Sequence, residues 1–437
     1  MKVLKFGGTS VGSAQRMKEV TKLFCDGSQK IVVLSAMSGT TNTLVEISDY
    51  LYKKNVDGAN ETINALEQKY YAVTEELYST ADYKKKTNEI IKGIFDYIRS
   101  FTNIIFTSIE EKAILAQGEL LSTNMVNAYL NETGVKSVLL PALDYMKTDK
   151  NGEPDTVFIK ENLNKILKEN STADLYITQG YICKNAYGEI DNLQRGGSDY
   201  SASLVGAAIN AEEIQIWTDI DGMHNNDPRF VEGTKPIANL HFEEAAELAY
   251  FGAKILHPTC ILPAKLANIP VRLLNTMDPK AYGTMISNKL EPGATKAVAA
   301  KDNITAIKIK SGRMLLAYGF LKKVFEIFDN CKTPVDMITT SEVGVSLTID
   351  NNKNLTEIVE ELKKFGTVTV DENMVIICVV GDMNYENAGF QAKIVNALKD
   401  IPVRMISYGG SNYNVSFLVK AEDKNRALNA LSDNLFK

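Results

Sequence analysis

The sequence predicts an α/β protein with a mostly parallel sheet, followed by two copies of a small β-α-β-β-α-β unit. Three observations carry this. Short apolar runs such as Lys30-Ile-Val-Val-Leu34 alternate with helical stretches, the pattern of strands buried on both faces. Several strands run straight into turns of glycine and small hydroxyl residues, at Gly7-Gly8, at Ser35 to Asn42 and at Gly196-Gly197. The tail repeats itself: helix 320–328, Pro334 to Ile338 and Val345 to Ile349 return as helix 390–398, Pro402 to Ile406 and Val415 to Val419.

Bulk properties exclude several classes. The chain has 437 residues, enough for two or three domains. Its net charge of −6 argues against a general nucleic-acid or anionic-membrane surface. No apolar run is long enough to span a bilayer, and the strand-like start does not read as a signal peptide. The cysteines at 25, 183, 260, 331 and 378 are scattered, without C-x-x-C, which suits a reducing cytoplasm. Each reads as a small buried hydrophobe. The histidines at 224, 241 and 257 have no metal-ligand spacing.

In order along the chain, Val3 and Leu4 form a first strand and Gln15 to Phe24 a helix, with Lys5-Phe-Gly-Gly-Thr-Ser-Val11 between them. Backbone N–H groups in such a turn, and the positive end of the next helix, can hold an anion. Gly7 and Gly8 would let the backbone approach it, and Lys5 would add a point charge. A plain turn is the alternative, and no Walker loop occurs in the chain. The turn from Ser35 to Asn42 reads equally as a ligand site or as a helix cap. Residues 43–130 read as long helices with a charged, mobile stretch near 53–60. Gly118 interrupts one of them at a cost of about 1 kcal/mol against Ala, which suggests close approach of another group. Glu119 beside it either receives an ammonium group or lies on the surface.

Arg195-Gly-Gly-Ser-Asp199 opens a small-residue helix, 200–209. A guanidinium and a helix dipole there suit a carboxylate or phosphate. Thr218, Asp219 and Arg229 follow the strand Ile214 to Asp219 and either hold a nucleotide or cap a loop. A helix over 242–254 and a strand Ile269 to Leu274 complete this part. The expected domains are 1–298, then 299–381 (core 311–381), then 382–437 completed by a strand from 299–310.

Together, Lys5 to Val11, Gly118-Glu119-Leu, Arg195 to Asp199, Trp217-Thr-Asp219, Asp227-Pro-Arg229 and Phe251-Gly-Ala-Lys254 resemble the aspartokinase family. The tail repeat resembles tandem ACT domains. Gly319-Phe-Leu and Val335 to Val343 are most similar to the monofunctional, lysine-sensitive type. The resemblance covers essentially the whole chain. It implies the amino-acid-kinase (carbamate-kinase-like) three-layer sandwich, with two ferredoxin-like ACT domains behind it.

It also implies a reaction. ATP, with Mg2+ bridging its phosphates and no metal ligand from the protein's side chains, would phosphorylate the side-chain carboxylate of L-aspartate. The product, 4-phospho-L-aspartate, enters lysine, threonine and methionine synthesis. Arg195 would clamp the α-carboxylate and Glu119 the α-ammonium, with Ser35, Thr41, Gly197 and Ser198 completing the pocket. Lys5, positioned by Asp199, would stabilise the transferring phosphoryl group with Gly7 and Gly8. Thr218, Asp219, His224, Arg229 and Lys254 match the family's nucleotide positions. His224 stands where a Tyr is usual, and Asp221 where a Pro is common. Met314, Phe320, Leu321, Val335, Asp336, Ser341 and Glu342 match its lysine-site positions, with Asp336 and Glu342 facing ammonium groups of the effector. Threonine, alone or with lysine, is the alternative effector. The expected assembly is a cytoplasmic homodimer through the ACT units, or a dimer of such dimers. A kinase for another amino acid and a catalytically silent amino-acid sensor are the competing readings.

Overall fold

The structure, a computed structural model, describes residues 1–193, 196–252, 256–312 and 318–437. The chain forms two compact units, Met1–Gly222 with Leu256–Asn288, and Met223–Ile255 with Lys289–Lys437.

The strands in chain order begin with β1 (Lys2–Phe6), β2 (Lys30–Leu34), β3 (Ser137–Leu140) and β4 (Leu175–Gln179). A hairpin of β5 (Ile182–Lys184) and β6 (Ile190–Asn192) follows, then β7 (Ile214–Thr218). After β8 (Asn239–His241), which belongs to the second unit, come β9 (Val271–Asn275) and β10 (Thr284–Ser287). The sheet of the first unit runs β3-β4-β2-β1-β7-β9-β10. All of these pair in parallel except β10, which lies antiparallel to β9.

The order explains where a ligand goes. From β1 the chain winds outward through β2 towards β4 and β3, then crosses back over β1 to β7 and β9. The switch falls at the carboxyl end of β1, where diverging connections leave a crevice. Alternation along β1 also fixes its side chains. Leu4 and Phe6 enter a core with Met17, Phe24, Leu44, Ile63, Tyr70 and Phe95 from the helices of one layer. Val3 and Lys5 therefore face the layer that contains helix Gly197–Ile209.

The long helices expected over 43–130 are Thr40–Tyr52, Val56–Leu77, Ala81–Ser100, Ser108–Leu115 and Gln117–Glu132. The stretch near 53–60 is more ordered than its charge suggests. Asn55 caps the helix that starts at Val56, accepting the Gly58 N–H. Cys25 is exposed, contrary to the expectation that every cysteine is buried. It follows the last residue of helix Ala14–Phe24, whose apolar stripe ends at Phe24.

The second unit holds a sheet ordered β12-β13-β11-β14-β16-β15. Its strands are β11 (Thr295–Lys310), β12 (Ile338–Ser341), β13 (Gly344–Ile349), β14 (Thr367–Gly381), β15 (Met405–Ser407) and β16 (Asn414–Lys420). The two long strands β11 and β14 pair along their length. Residues 305–310 of β11 also carry β13, and residues 374–380 of β14 carry β16, so each long strand serves both repeats. One core gathers Ile307, Phe320, Val324, Leu347 and Leu362, the other Val298, Ile377, Ile394, Phe417 and Leu428. Val231 enters the second core, and the Asn226 amide donates to the Leu428 carbonyl. Segment 223–255 thus packs with the tail, although sequence order places it before residue 298. The helix of each repeat starts where expected, at Phe320 and Phe390, but the strand after it starts later: Pro334 and Pro402 lie ahead of their strands, as residues without an N–H to give a ladder.

Candidate active site

At the carboxyl end of β1, residues 7–13 form turns before helix Ala14–Phe24, which Ser13 caps by accepting the Arg16 N–H at 3.3 Å. The helix end is therefore several residues beyond the glycines, and its first donors are partly satisfied. The two glycines also differ in purpose. A Cβ on Gly8 would lie 2.8 Å from the Ala36 carbonyl oxygen, and the Gly8 carbonyl accepts the Ser38 N–H at 3.1 Å. Gly8 is needed for two turns to touch. A Cβ on Gly7 would meet only Lys5 Nζ, at 3.6 Å, so Gly7 leaves its backbone open beside the cation.

Lys5 is buried, with Nζ 2.7 Å from Asp199 Oδ1, a charge contact without hydrogen-bond alignment. Asp199 sits in the first turn of helix Gly197–Ile209. That helix is entered through Gly196 at φ +85°, where a Cβ would fall 1.8 Å from Cys260 Sγ. Both the backbone angle and the space require glycine. Helix Thr40–Tyr52 is entered through Gly39 at φ +84°. Neither helix has a side-chain cap among the described residues. The Ser35–Asn42 turn thus does not serve as a Ser/Thr cap. Two helix starts instead bring unsatisfied N–H groups and positive dipole ends to one place.

A cavity of about 480 Å³ lies there, lined in part by Gly8, Ser35, Thr41, Glu119, Gly197 and Ser198. The Ser35 hydroxyl donates to the Ser198 hydroxyl at 2.9 Å. Glu119 is 4% exposed, not a surface residue. One carboxylate oxygen accepts the Ala36 N–H at 3.1 Å, and the other is buried with no partner among the described residues. Burial pushes its carboxyl up to about 8 against the weaker opposing effects of that N–H and of Lys5. Gly118 explains how Glu119 gets there: a Cβ on it would lie 2.8 Å from Ala36 Cβ, so the helix can only press this close to the turn as glycine.

Sequence reasoning missed two neighbours. A Cβ on Gly180 would lie 2.4 Å from Ser198 Cβ. Tyr181 lines the cavity at φ +68°, its N–H donating to the Ser201 hydroxyl at 2.8 Å and its ring packing on Gly197. A left-handed tyrosine is a costly conformation that the surroundings must hold. The Gln179-Gly180 end of β4, a third polar strand end, was the available signal. Arg195 and Lys254 lie outside the described residues.

Of the nucleotide candidates, Thr218 ends β7 in the first unit and the exposed Asp219 follows it. In the second unit, Arg229 is exposed and forks onto Asp227, with contacts of 3.0 and 2.6 Å, and His224 meets the Thr234 hydroxyl at 3.0 Å. Of the effector candidates, Met314 lies outside the described residues. Phe320 and Leu321 open helix Phe320–Asn330, and Ser341 and Glu342 are exposed at the β12–β13 turn. Val335 is half-buried, and the side chain of Asp336 is buried and already engaged by Lys301.

The pattern of the amino acid kinase family matches residues 1–275, and that of the ACT domain residues 377–435. Lysine-sensitive aspartokinase 3 of Escherichia coli is 34% identical, covering 100% of this chain and 99% of its own. Chloroplastic aspartokinase 1 of Arabidopsis thaliana is also 34% identical, with 100% of this chain and 80% of its own covered. Among solved structures, E. coli aspartokinase III in complex with aspartate and ADP superposes with a TM-score of 0.84 at 33% identity over the whole of both chains. The same enzyme in complex with lysine and aspartate gives a TM-score of 0.82, at the same identity and full coverage. The parallel sheet, the crevice at its switch point and the paired tail repeats thus recur in relatives over the full length, and the chain belongs to the amino acid kinase family and, within it, to the aspartokinases.

Proposed function

We infer that the chain is an ATP-dependent aspartate kinase. It transfers the γ-phosphoryl group to the side-chain carboxylate of L-aspartate, giving 4-phospho-L-aspartate for lysine, threonine and methionine synthesis, and lysine inhibits it. One observation carries the reading: Glu119, a buried carboxylate with an unpartnered oxygen, lies in a cavity where two uncapped helix starts converge. L-Aspartate is the complement, one ammonium for Glu119 and two carboxylates for the helix ends.

The roles follow. Arg195 clamps the α-carboxylate, and Ser35, Thr41, Gly197 and Ser198 shape the pocket. Lys5, held by Asp199, stabilises charge on the phosphoryl group in flight, and Gly7 leaves the backbone open beside it. The nucleophile is already a carboxylate, so no general base is needed. Alignment and charge stabilisation then supply the rate. Thr218, Asp219, His224, Arg229 and Lys254 are assigned to the nucleotide. Mg2+ bound with the nucleotide would neutralise charge on its phosphates.

Residues 1–298 are assigned to catalysis and 299–437 to regulation, with Met314, Phe320, Leu321, Val335, Asp336, Ser341 and Glu342 around the effector. We place the enzyme in the cytoplasm as a homodimer through its ACT repeats. No described helix is long and apolar enough to cross a membrane. The test is ATP-dependent acyl phosphate formation from L-aspartate, trapped as the hydroxamate. Turnover that lysine suppresses is expected. Turnover with another amino acid but none with aspartate would overturn the substrate.

A further inference from the structure

Asp336 sits in a closed cluster within the second unit. Its side chain is 1% exposed. Oδ1 accepts from Lys301 Nζ at 2.6 Å and from the Tyr250 hydroxyl at 2.8 Å. Lys301 Nζ also lies 2.9 Å from Asp350 Oδ2 and 4.4 Å from the centroid of the Tyr250 ring. The other oxygen, Asp336 Oδ2, is buried and has no hydrogen-bond partner among the described residues. Two carboxylates and an aromatic face around one position are the chemistry that recognises a primary ammonium.

The chain fills this box itself. Burial alone would lower the Lys301 ammonium, but its bonds to Asp336 and Asp350 more than offset that and hold it up. Burial pushes the Asp336 carboxyl up, and Lys301 pulls against it. The three partners come from separate elements: Lys301 from β11, Asp336 from the segment before β12, and Tyr250 from the end of helix Phe242–Tyr250. An ammonium that displaced Lys301 would find Asp336 Oδ2 as well, a buried oxygen with no partner among the described residues.

We propose that Lys301 is an intramolecular competitor for the allosteric effector. The ammonium of free L-lysine enters the box of Asp336, Asp350 and the Tyr250 ring by exchanging with the ammonium of Lys301. This rests on the reading of L-lysine as effector, and it adds Asp350, Tyr250 and Lys301 to the site. Charge balances in the exchange, since one ammonium replaces another and Lys301 moves to water. Because Tyr250 shares Oδ1 with Lys301, the exchange also releases or tightens the end of helix Phe242–Tyr250, so the same carboxylate links effector and helix.

The test is calorimetric titration of L-lysine into the full chain, for the wild type, Lys301→Met and Lys301→Arg, with folding checked by circular dichroism. Lys301→Met removes the competitor, and its affinity for L-lysine should rise about tenfold or more, as expected when a self-occupied site is freed. Lys301→Arg keeps the charge on a group that grips carboxylates bidentately, and its affinity should fall. Unchanged affinity in both folded variants would overturn the proposal. If Lys301→Met does not fold, unchanged affinity in Lys301→Arg overturns it alone. A wild type that does not bind L-lysine would overturn the effector reading, and the exchange with it.

Discussion

Glu119→Gln separates what this site costs the fold from what it gives the reaction. The substitution keeps the side chain's shape and an oxygen to accept the Ala36 N–H, and it removes the charge. Burial holds the Glu119 carboxyl at about 8, above its ordinary 4.5. The native state therefore keeps a proton that the unfolded chain releases. The resulting stability is fully present below pH 4.5 and is lost as pH rises through about 8. At about 1.4 kcal/mol per pH unit, the carboxyl weakens the fold by on the order of 3 kcal/mol at pH 7 relative to a neutral group. Glu119→Gln should thus stabilise the ligand-free chain by up to that amount at pH 7, roughly 6 °C in a thermal scan, and by little at pH 4.5. The same variant should raise KM for L-aspartate by about 10- to 100-fold, the worth of one charge-assisted hydrogen bond, with a smaller loss in kcat. Paired scans at the two pH values and steady-state kinetics decide it. A variant less stable than the wild type at pH 7, or one with unchanged KM, would refute the burial argument.

Gly118→Ala gains about 1 kcal/mol of helix propensity but forces a methyl group to 2.8 Å from Ala36 Cβ. Overpacking of about 1–3 kcal/mol should win, so chemical denaturation should show a net loss, and KM for L-aspartate should rise as the Ser35–Met37 turn moves. Asp199→Asn removes the charge 2.7 Å from Lys5. It should lower kcat by about 100-fold, because the Lys5 donor loses the group that positions it, and leave KM for L-aspartate within a few-fold, both read in the hydroxamate assay. Gly196→Ala should fail to fold the site, because its Cβ would meet Cys260 Sγ at 1.8 Å. Loss of aspartate binding by calorimetry is the expected result, and binding retained would contradict it.

What was legible in the sequence was what neighbours in sequence decide. The strand Lys30–Leu34 announced itself by its apolar run, and the Gly-Gly turns by their place between strand and helix. Glu119 was legible only through Gly118: a glycine inside a good helix implies a close neighbour, but nothing local says that the neighbour is Ala36. The sequence suggests that Gly8 lets the backbone approach an anion, and in the structure it is the Ala36 carbonyl that it approaches. Gly180 and Tyr181 stayed hidden because their constraints come from Ser198 and Gly197 on a distant helix. The packing of Val231 and Asn226 against the tail repeat depends on tertiary contacts that no window of sequence contains. The Lys301–Asp336 pair is hidden for the same reason.

The number of protons released when L-aspartate binds at pH 7, from calorimetry in buffers of differing ionisation enthalpy, reports the protonation of Glu119 in the free site. A buried Glu119 that is neutral in the free protein and ionised by the substrate's ammonium predicts release of about 0.9 proton per site, with release shrinking as pH rises through about 8. Aspartate binding with no proton release at pH 7 would mean that Glu119 is already ionised in the free site or does not meet the substrate's ammonium.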